Sequence, residues 1–380
     1  MDLVLVQPDL SFGGAERQII KIAERFNPII YVSRHDPKAT FREFREFDIR
    51  VAKPSVLEAP VSAFARLDSD NRMAMLGAAG VRFLGMKVRD DYDVINAHLM
   101  PAEWIRNRNE RVCWYCHCPC RPAYGWKDFF MAERGMAGKA ALSVAAASFD
   151  AVERAVVPKI EKICTNSKFT SENVRRYIGR GGSEPVYPGA DVEKYSCKGY
   201  EKIFFYPSRV APEKRMEIAI EAFRKFSRKG WKLVIGGFMP DMERNRSYLA
   251  RLREIAGSSN VEFVLDMNEK KLMHYYSNCY AVLFTPMLED WGLVPVEAMA
   301  SHKPVIAIKE GGPAESVVDG KTGFLISNAD EMAEKMRFLA DHPDICEQMG
   351  KAGRKRVEQN YTWKIFLDRM EKVYKETAKM

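Results

Sequence analysis

The chain has 380 residues, 47% of them hydrophobic, which suits two cores of ordinary size better than one very large one. Its formal net charge is +8 with no long block of Lys and Arg, so a nucleic-acid arm is not expected, while anionic small ligands or an anionic membrane surface both fit. The start, MDLVLVQPDL, lacks the basic region and long apolar core of a signal peptide, and no stretch is long enough to span a membrane; a cytoplasmic protein without structural disulfides is expected.

In chain order, LVLVQP predicts a first strand and GAERQIIKIAERF a helix that turns Ile19, Ile20 and Ile22 towards the core. PIIYVS, YDVINAH and RVCWYCH follow as strands, and KICTNS is another, ahead of the helical KFTSENVRRYI. From Gly179 to Tyr195, glycines, prolines and polar residues gather into the best candidate for an interdomain linker. A second series then opens, with KIFFYPS, KLVIGG, VEFVL, YAVLFTP and PVIAI as strands and KRMEIAIEAFRKF, LVPVEAMAS and DEMAEKMRFLAD as helices. The alternation predicts an α/β chain of two doubly wound sheets, in which ligands sit beyond the carboxyl ends of the strands.

Four of the eight cysteines fall in CWYCHCPC, residues 113 to 120, which contains the C-x-x-C-H haem attachment pattern. Haem attachment needs export, and residues along a strand alternate faces and cannot converge on one ion. VCWYC is therefore expected to be a buried strand in which cysteine serves as a small apolar filler. His117 stands at its carboxyl end and His98 closes DVINAH in the same way, so the two imidazoles are expected on one rim. Each is a candidate for acid–base work and equally a satisfied structural histidine.

SFGGAER sets Gly13 and Gly14 between a strand and its helix, where backbone N–H groups can approach an anion. Neither this turn nor VIGGFMPD, which holds Gly237, is G-x-G-x-x-G, so a dinucleotide site is not supported. In PSRVAPEKRMEIAIEAF, Arg209 and Lys214 sit at a strand-to-helix turn, where two cations suit a diphosphate, although solvated surface charges would read alike. EDWGLVPVEAM carries Glu289 in a loop and Glu297, with Pro295 expected as the first helical residue and Glu297 in the first turn. Gly292, Leu293 and Val294 would then offer N–H groups to a phosphate, and the two carboxylates could accept from sugar hydroxyls. In EGGPAESVVDGKTGFLI, structural turns account for most of the glycines. Asp68 and Asp70 form a D-x-D in a polar segment rather than at a strand end.

GGAER, NSKFTSENV, YPGADVEKY, SRVAPEKRMEIAIEAF, EDWGLVPVEAMASHKPVIA and GGPAESVVDGKTGFL, taken in order, closely resemble the retaining glycosyltransferases of family 4. Among these the chain looks most like the α-mannosyltransferases that extend dolichol- or polyprenyl-linked oligosaccharides. The resemblance implies the GT-B fold, two Rossmann-like domains facing a cleft: residues 1–185 for the acceptor, 186–364 for a nucleotide-sugar donor, and 365–380 as a helix crossing back. It implies that Arg209 and Lys214 grip the donor diphosphate, Glu289 the transferred sugar and Glu297 the ribose. Asp266 and Met267 would lie against the donor base, and Gly237 would line the donor site. Gly13 and Gly14 would approach the donor phosphate or the acceptor, with His98, His117, Glu16, Arg17 and Arg121 on the acceptor side. The implied reaction is hexosyl transfer, most simply from GDP-mannose to a glycan or lipid-linked glycan, without metal or other cofactor and without nucleic acid. The lipid-linked acceptor implies peripheral contact with the cytosolic membrane face, for which Trp126, Phe129 and Phe130 beside Lys127 and Arg134 offer a patch, ordinary core packing being the alternative. A sugar-nucleotide epimerase or phosphorylase of the same fold, or a non-catalytic sugar-nucleotide binder, stays open. His302, where the family has glycine, and Cys118 and Cys120 in CHCPCRP depart from the family pattern.

Overall fold

A computed structural model describes residues 1–56, 58, 72–120, 123–132, 134–265 and 267–380. The chain divides into two compact units, Met1–Val186 with Leu367–Met380, and Tyr187–Phe366.

In the first unit β1 (Leu3–Gln7), β2 (Ile29–Val32), β3 (Ile49–Val51), β4 (Val94–His98), β5 (Val112–Cys116), β6 (Lys162–Thr165) and β7 (Glu184–Pro185) form a parallel sheet in the order β3-β2-β1-β4-β5-β6-β7. In the second, β8 (Ile203–Pro207), β9 (Lys232–Gly237), β10 (Val261–Leu265), β11 (Ala281–Phe284), β12 (Val305–Ile308) and β13 (Gly323–Ile326) are parallel in the order β10-β9-β8-β11-β12-β13. Strand order reverses between β1 and β4 and again between β8 and β11, which is where open α/β sheets leave a crevice for ligands. β1, β4, β5 and β8 are buried along their whole length, as expected for strands covered on both faces. Three strands lie outside the expected set: β3 and β7 are too short to carry an apolar pattern, and β13 lies in a segment whose glycines read as turns.

β5 is the expected buried VCWYC strand, with Trp114 and Cys116 in the core beside Ile95, Ala97 and Val6. All eight cysteines are free thiols, and among the described residues no group of three or more His, Cys, Asp or Glu side chains converges as metal ligands would. In the aromatic patch Trp126 and Phe130 are buried, with the Arg134 guanidinium over the Phe130 ring, while Phe129 is half-buried and Lys127 exposed. No helix among the described residues is long and apolar enough to cross a membrane. Asp68 and Asp70 lie outside the described residues.

A buried carboxyl pair gives the first unit a pH signature. Glu103 and Glu153 are both inaccessible, and both Glu103 oxygens and Glu153 Oε1 have no hydrogen-bond donor among the described residues. Tyr124 Oη donates to Glu153 Oε2 at 2.7 Å. Burial and the neighbouring Glu153 raise the Glu103 carboxyl well above its usual range, and burial pushes Glu153 up to about 7. A proton on Glu103 supplies the missing donor. Carboxyls raised in the folded state bind more protons than in the unfolded chain, so their contribution is full below the ordinary Glu range and is lost as pH rises through the folded values. Stability is therefore expected to fall between about pH 5 and 8 by roughly 1–3 kcal/mol. Glu153→Gln is expected to flatten that slope in urea titrations at several pH values, and parallel slopes for both proteins would refute the assignment.

Candidate active site

The two cations at the end of β8 are held by different means. Pro212–Lys214 form one short turn and Arg215 adopts φ 48°, which starts helix Met216–Phe226 at a sharp angle. Tyr206 Oη donates to the Lys214 carbonyl at 2.6 Å, and Thr285 Oγ1 lies 3.2 Å and 2.9 Å from the Lys214 and Arg215 carbonyls, so β8 and β11 together fix this backbone. Lys214 Nζ lies 2.7 Å from Glu289 Oε2, a largely buried ion pair. Arg209 is half exposed and its Nη2 is 3.1 Å from Glu213 Oε1, while Arg244 takes the other Glu213 oxygen at 2.5 Å. Burial alone would raise the Glu213 carboxyl, but Arg209, its own backbone and Arg244 bring it below the ordinary carboxylate range.

Gly237 permits the approach of the neighbouring turn, since a Cβ there would stand 2.2 Å from the Ser208 carbonyl oxygen. The Ser208 and Val210 amides donate to the carbonyls of Gly236 and Phe238, tying the Arg209 loop to the end of β9. Met267 packs against Gly236, its amide directed at the Gly237 carbonyl 3.4 Å away. Asp266, expected beside it, lies outside the described residues.

Helix Leu293–Ala300 begins two residues earlier than expected, so Pro295 is its third residue and Glu297 sits in the second turn. The reason is Gly292: at φ 80°, ψ 100° it turns the chain into the helix without a side-chain cap, a conformation only glycine takes readily. The Leu293 and Val294 amides thus open the helix as expected. Buried Tyr276 donates to Glu297 Oε2 at 2.8 Å, fixing one carboxylate oxygen. The loop holding Glu289 is clamped from below. Gly312 N–H donates to the Glu289 carbonyl at 2.8 Å, Gly311 has φ 63°, and Arg215 grips Glu310 at 2.8 Å while donating to the Thr285 and Pro286 carbonyls. The glycines read as structural turns are thus what lets this loop pack. Glu213, Arg215, Arg244, Tyr276 and Glu310 were not singled out by the sequence. Only the run PEKR hinted at the first two; apart from Arg209, four positions from Glu213, the partners of the five lie 21 to 95 positions away.

In the first unit, His98 and His117 meet on one rim. His98 Nδ1 and His117 Nε2 are 3.2 Å apart, and His98 Nε2 is 2.6 Å from Asn96 Oδ1. Asn96 Nδ2 donates to the Cys113 carbonyl, so its oxygen accepts from His98 Nε2–H and from Tyr374 Oη. His98 Nδ1 then accepts from His117 Nε2–H. Burial followed by the charge of His117 lowers His98 well below the usual imidazole range, and burial pushes His117 down to about 3, so both rings are neutral near pH 7. His98 is wholly inside with both nitrogens engaged, whereas His117 reaches the surface. Asn166 donates to the His117 carbonyl at 2.9 Å, and Ser167 caps helix Lys168–Ile178.

Gly13 and Gly14 stand at the mouth of helix Gly14–Phe26 as expected. Glu16 does not face outward: it is buried, and its Oε1 accepts from Ser11 Oγ at 3.0 Å. Burial raises its carboxyl. Its geometry is that of a brace for the glycine turn. Arg17 lies over the Phe41 ring. Arg121 lies outside the described residues.

The family model for glycosyl transferases group 1 matches residues 190–356. Over 427 aligned residues the chain is 26% identical to the alpha-1,3/1,6-mannosyltransferase ALG2 of Dictyostelium discoideum, covering 99% of this chain and 98% of that one. It is 25% identical to human ALG2, covering 97% and 94%. Among solved structures, Anabaena HepE in complex with UDP and glucose aligns with TM-score 0.74 and 17% identity over 99% of this chain and all of that one. A sucrose-phosphate synthase from Thermosynechococcus elongatus aligns with TM-score 0.77 and 18% identity, over 99% and 98%.

Proposed function

Because the chain is a glycosyltransferase of the GT-B fold whose residues 190–356 form a group 1 domain, we propose that it moves a mannosyl group from GDP-mannose to a polyprenyl-linked glycan with retention of configuration. The observation that carries the reading is the 2.7 Å Lys214–Glu289 pair at the switch point of the second sheet, beside a helix start with no side-chain cap. A cation paired with a carboxylate there can exchange partners: donor phosphate takes the ammonium, and the released carboxylate accepts from sugar hydroxyls.

Arg209 takes the diphosphate in its planar fork, and the amides of Gly292, Leu293 and Val294 add hydrogen bonds and the helix dipole. Glu297, held at Oε2 by Tyr276, accepts from a ribose diol. Gly237 and Met267 border the base. In the first unit the glycine turn at Gly13 and Gly14 and the neutral His117, aligned by His98, serve the acceptor. Departure of the nucleotide leaves an oxocarbenium-like sugar, the leaving phosphate oxygen takes the acceptor proton, and no side chain acts as nucleophile. No metal is needed, because side-chain and backbone donors neutralise the leaving group. The ALG2 relatives, mannosyltransferases by name, support the choice of sugar. A lipid-linked acceptor brings the enzyme to the cytosolic face of a membrane.

The test incubates the purified chain with GDP-mannose or UDP-glucose and a short polyprenyl-diphosphate disaccharide, with and without EDTA. Mannosyl product with an α anomeric proton, formed from GDP-mannose alone and undiminished by chelation, is expected. Consumption of donor without acceptor, or donor binding without turnover, would overturn the reading in favour of an epimerase, a phosphorylase or a binding protein.

A further inference from the structure

Lys303, in the turn after helix Leu293–Ala300, is fully buried. A buried ammonium ordinarily takes a carboxylate partner. Among the described residues this one has a different set: its Nζ is 3.2 Å from Cys197 Sγ, it donates to the Gly199 carbonyl, and it stands 3.8 Å from the centre of the Tyr200 ring. Nothing in the transfer chemistry uses either residue.

Cys197 differs from most of the cysteines in its access. Six of the eight are buried, whereas Cys197 and Cys118 are partly exposed. The neighbours of Cys197 on both sides, Ser196 and Lys198, line an open cavity of about 320 Å³, together with Ser301 from the strand-side turn that carries Lys303. Cys279 and Cys346 lie close enough to feel the Lys303 charge, but burial pushes both thiols up to about 12, which keeps them protonated and inert. A cysteine that is only partly buried, its sulfur 3.2 Å from a fixed primary amine and its nearest thiol competitors silenced, is the arrangement for an oxidative cross-link.

We propose that Cys197 and Lys303 form a redox modification site, in which peroxide oxidation joins Sγ to Nζ. In the first step the sulfur attacks hydrogen peroxide: an S–O bond forms, the O–O bond breaks, and Cys–SH with H₂O₂ gives Cys–SOH and water. In the second, the Lys303 nitrogen attacks that sulfur: an S–N bond forms, the S–O bond breaks, and the hydroxyl leaves as water with a proton from nitrogen. The sulfur loses two electrons and the peroxide gains them. When Nζ begins as ammonium, its extra proton goes to solvent. The product ties the Tyr195–Gly199 loop to the turn that follows the Glu297 helix. A reducing thiol reverses it by attack on sulfur. The site is independent of the identity of donor or acceptor.

The experiment treats the whole chain with hydrogen peroxide near stoichiometry, digests it, and maps peptides by mass with and without dithiothreitol. A peptide pair joined through Cys197 and Lys303, two hydrogens lighter than its halves and released by dithiothreitol, is expected, together with a raised thermal midpoint for the oxidised chain. Cys197→Ser should abolish the link, and Lys303→Met should leave Cys197 to proceed to sulfinic acid. A disulfide from Cys197 to Cys346 or Cys279, a link that retains an oxygen, or sulfinic acid at Cys197 in the wild-type chain would each overturn the proposal. Because the wild-type map decides, the outcome does not depend on either variant folding.

Discussion

Lys214→Met is expected to lower kcat for mannosyl transfer by about 10²–10³-fold, the loss that follows when one preorganised donor to a developing anion is removed. The side chain is nearly enclosed and its Nζ sits 2.7 Å from Glu289, so solvent cannot replace it and the carboxylate is left without its cation. Glu289→Gln alone is expected to cost less in diphosphate binding and more in the sugar-dependent step. If the two groups exchange partners when donor enters, as proposed, the double variant should be far from additive, with a loss close to that of the lysine alone. Steady-state kinetics on the four proteins, with calorimetric binding of GDP, reads both effects. Turnover within a few-fold of wild type in Lys214→Met, with GDP affinity unchanged, would refute the assigned role. Arg209→Met offers a graded comparison, because its guanidinium is half exposed and is already shared with Glu213.

Gly311→Ala is the second large effect, and here the cause is geometric. A Cβ at this position would lie 2.1 Å from the Glu289 carbonyl oxygen, and the residue has φ 63°. Left-handed backbone costs an L-residue about 1–2 kcal/mol, and the clash adds the loss of the Gly312-to-Glu289 hydrogen bond, so a destabilisation of roughly 2–3 kcal/mol is expected. The displaced loop carries Glu289, and a shift of about 1 Å in a reacting group can cost about 10²-fold in rate. Gly320→Ala is the control: φ is 70° but nothing stands within 4 Å of the added carbon, so only the backbone cost applies. Urea denaturation and kcat/KM on both variants test this. Equal destabilisation of the two, with activity retained in Gly311→Ala, would show that the contact with the Glu289 loop is unimportant.

Much of this architecture was legible because parallel strands buried on both faces write themselves as apolar runs, and each run ends at the polar residue that begins a loop. LVLVQ, VINAH and IFFYP became strands for that reason, and their ends located His98, Arg209 and Lys214. The start of the helix that carries Glu297 was misplaced because proline at N1 is a statistical preference, while the actual start is set by Gly292 and its unusual backbone. Glu16 was placed on the acceptor side by the resemblance alone; the structure buries it within the turn it braces, where Ser11 and Gln7 donate to it. The supporting residues were hidden for another cause. Tyr276 reaches Glu297 across 21 positions and Arg215 reaches Glu310 across 95, and no local spacing encodes such encounters. His98 was ambiguous for the same reason, its second partner being an asparagine held by Tyr374 from 278 positions away.

Helix Trp363–Thr377 starts within the second unit, yet from Leu367 onward its residues count with the first. Tyr374 is wholly buried there, its ring edge-on to Phe26 at 5.5 Å, and Asp368 meets Arg25 at 2.6 Å. On the ribosome, the earliest-made sheet must therefore wait, with Asn96 and Phe26 lacking Tyr374, until about 180 further residues have been translated, at roughly 5–20 residues per second. The later-made unit, a single uninterrupted segment, can finish first, and the nascent chain spends about ten seconds or more with an incomplete amino-terminal half as a client for chaperones.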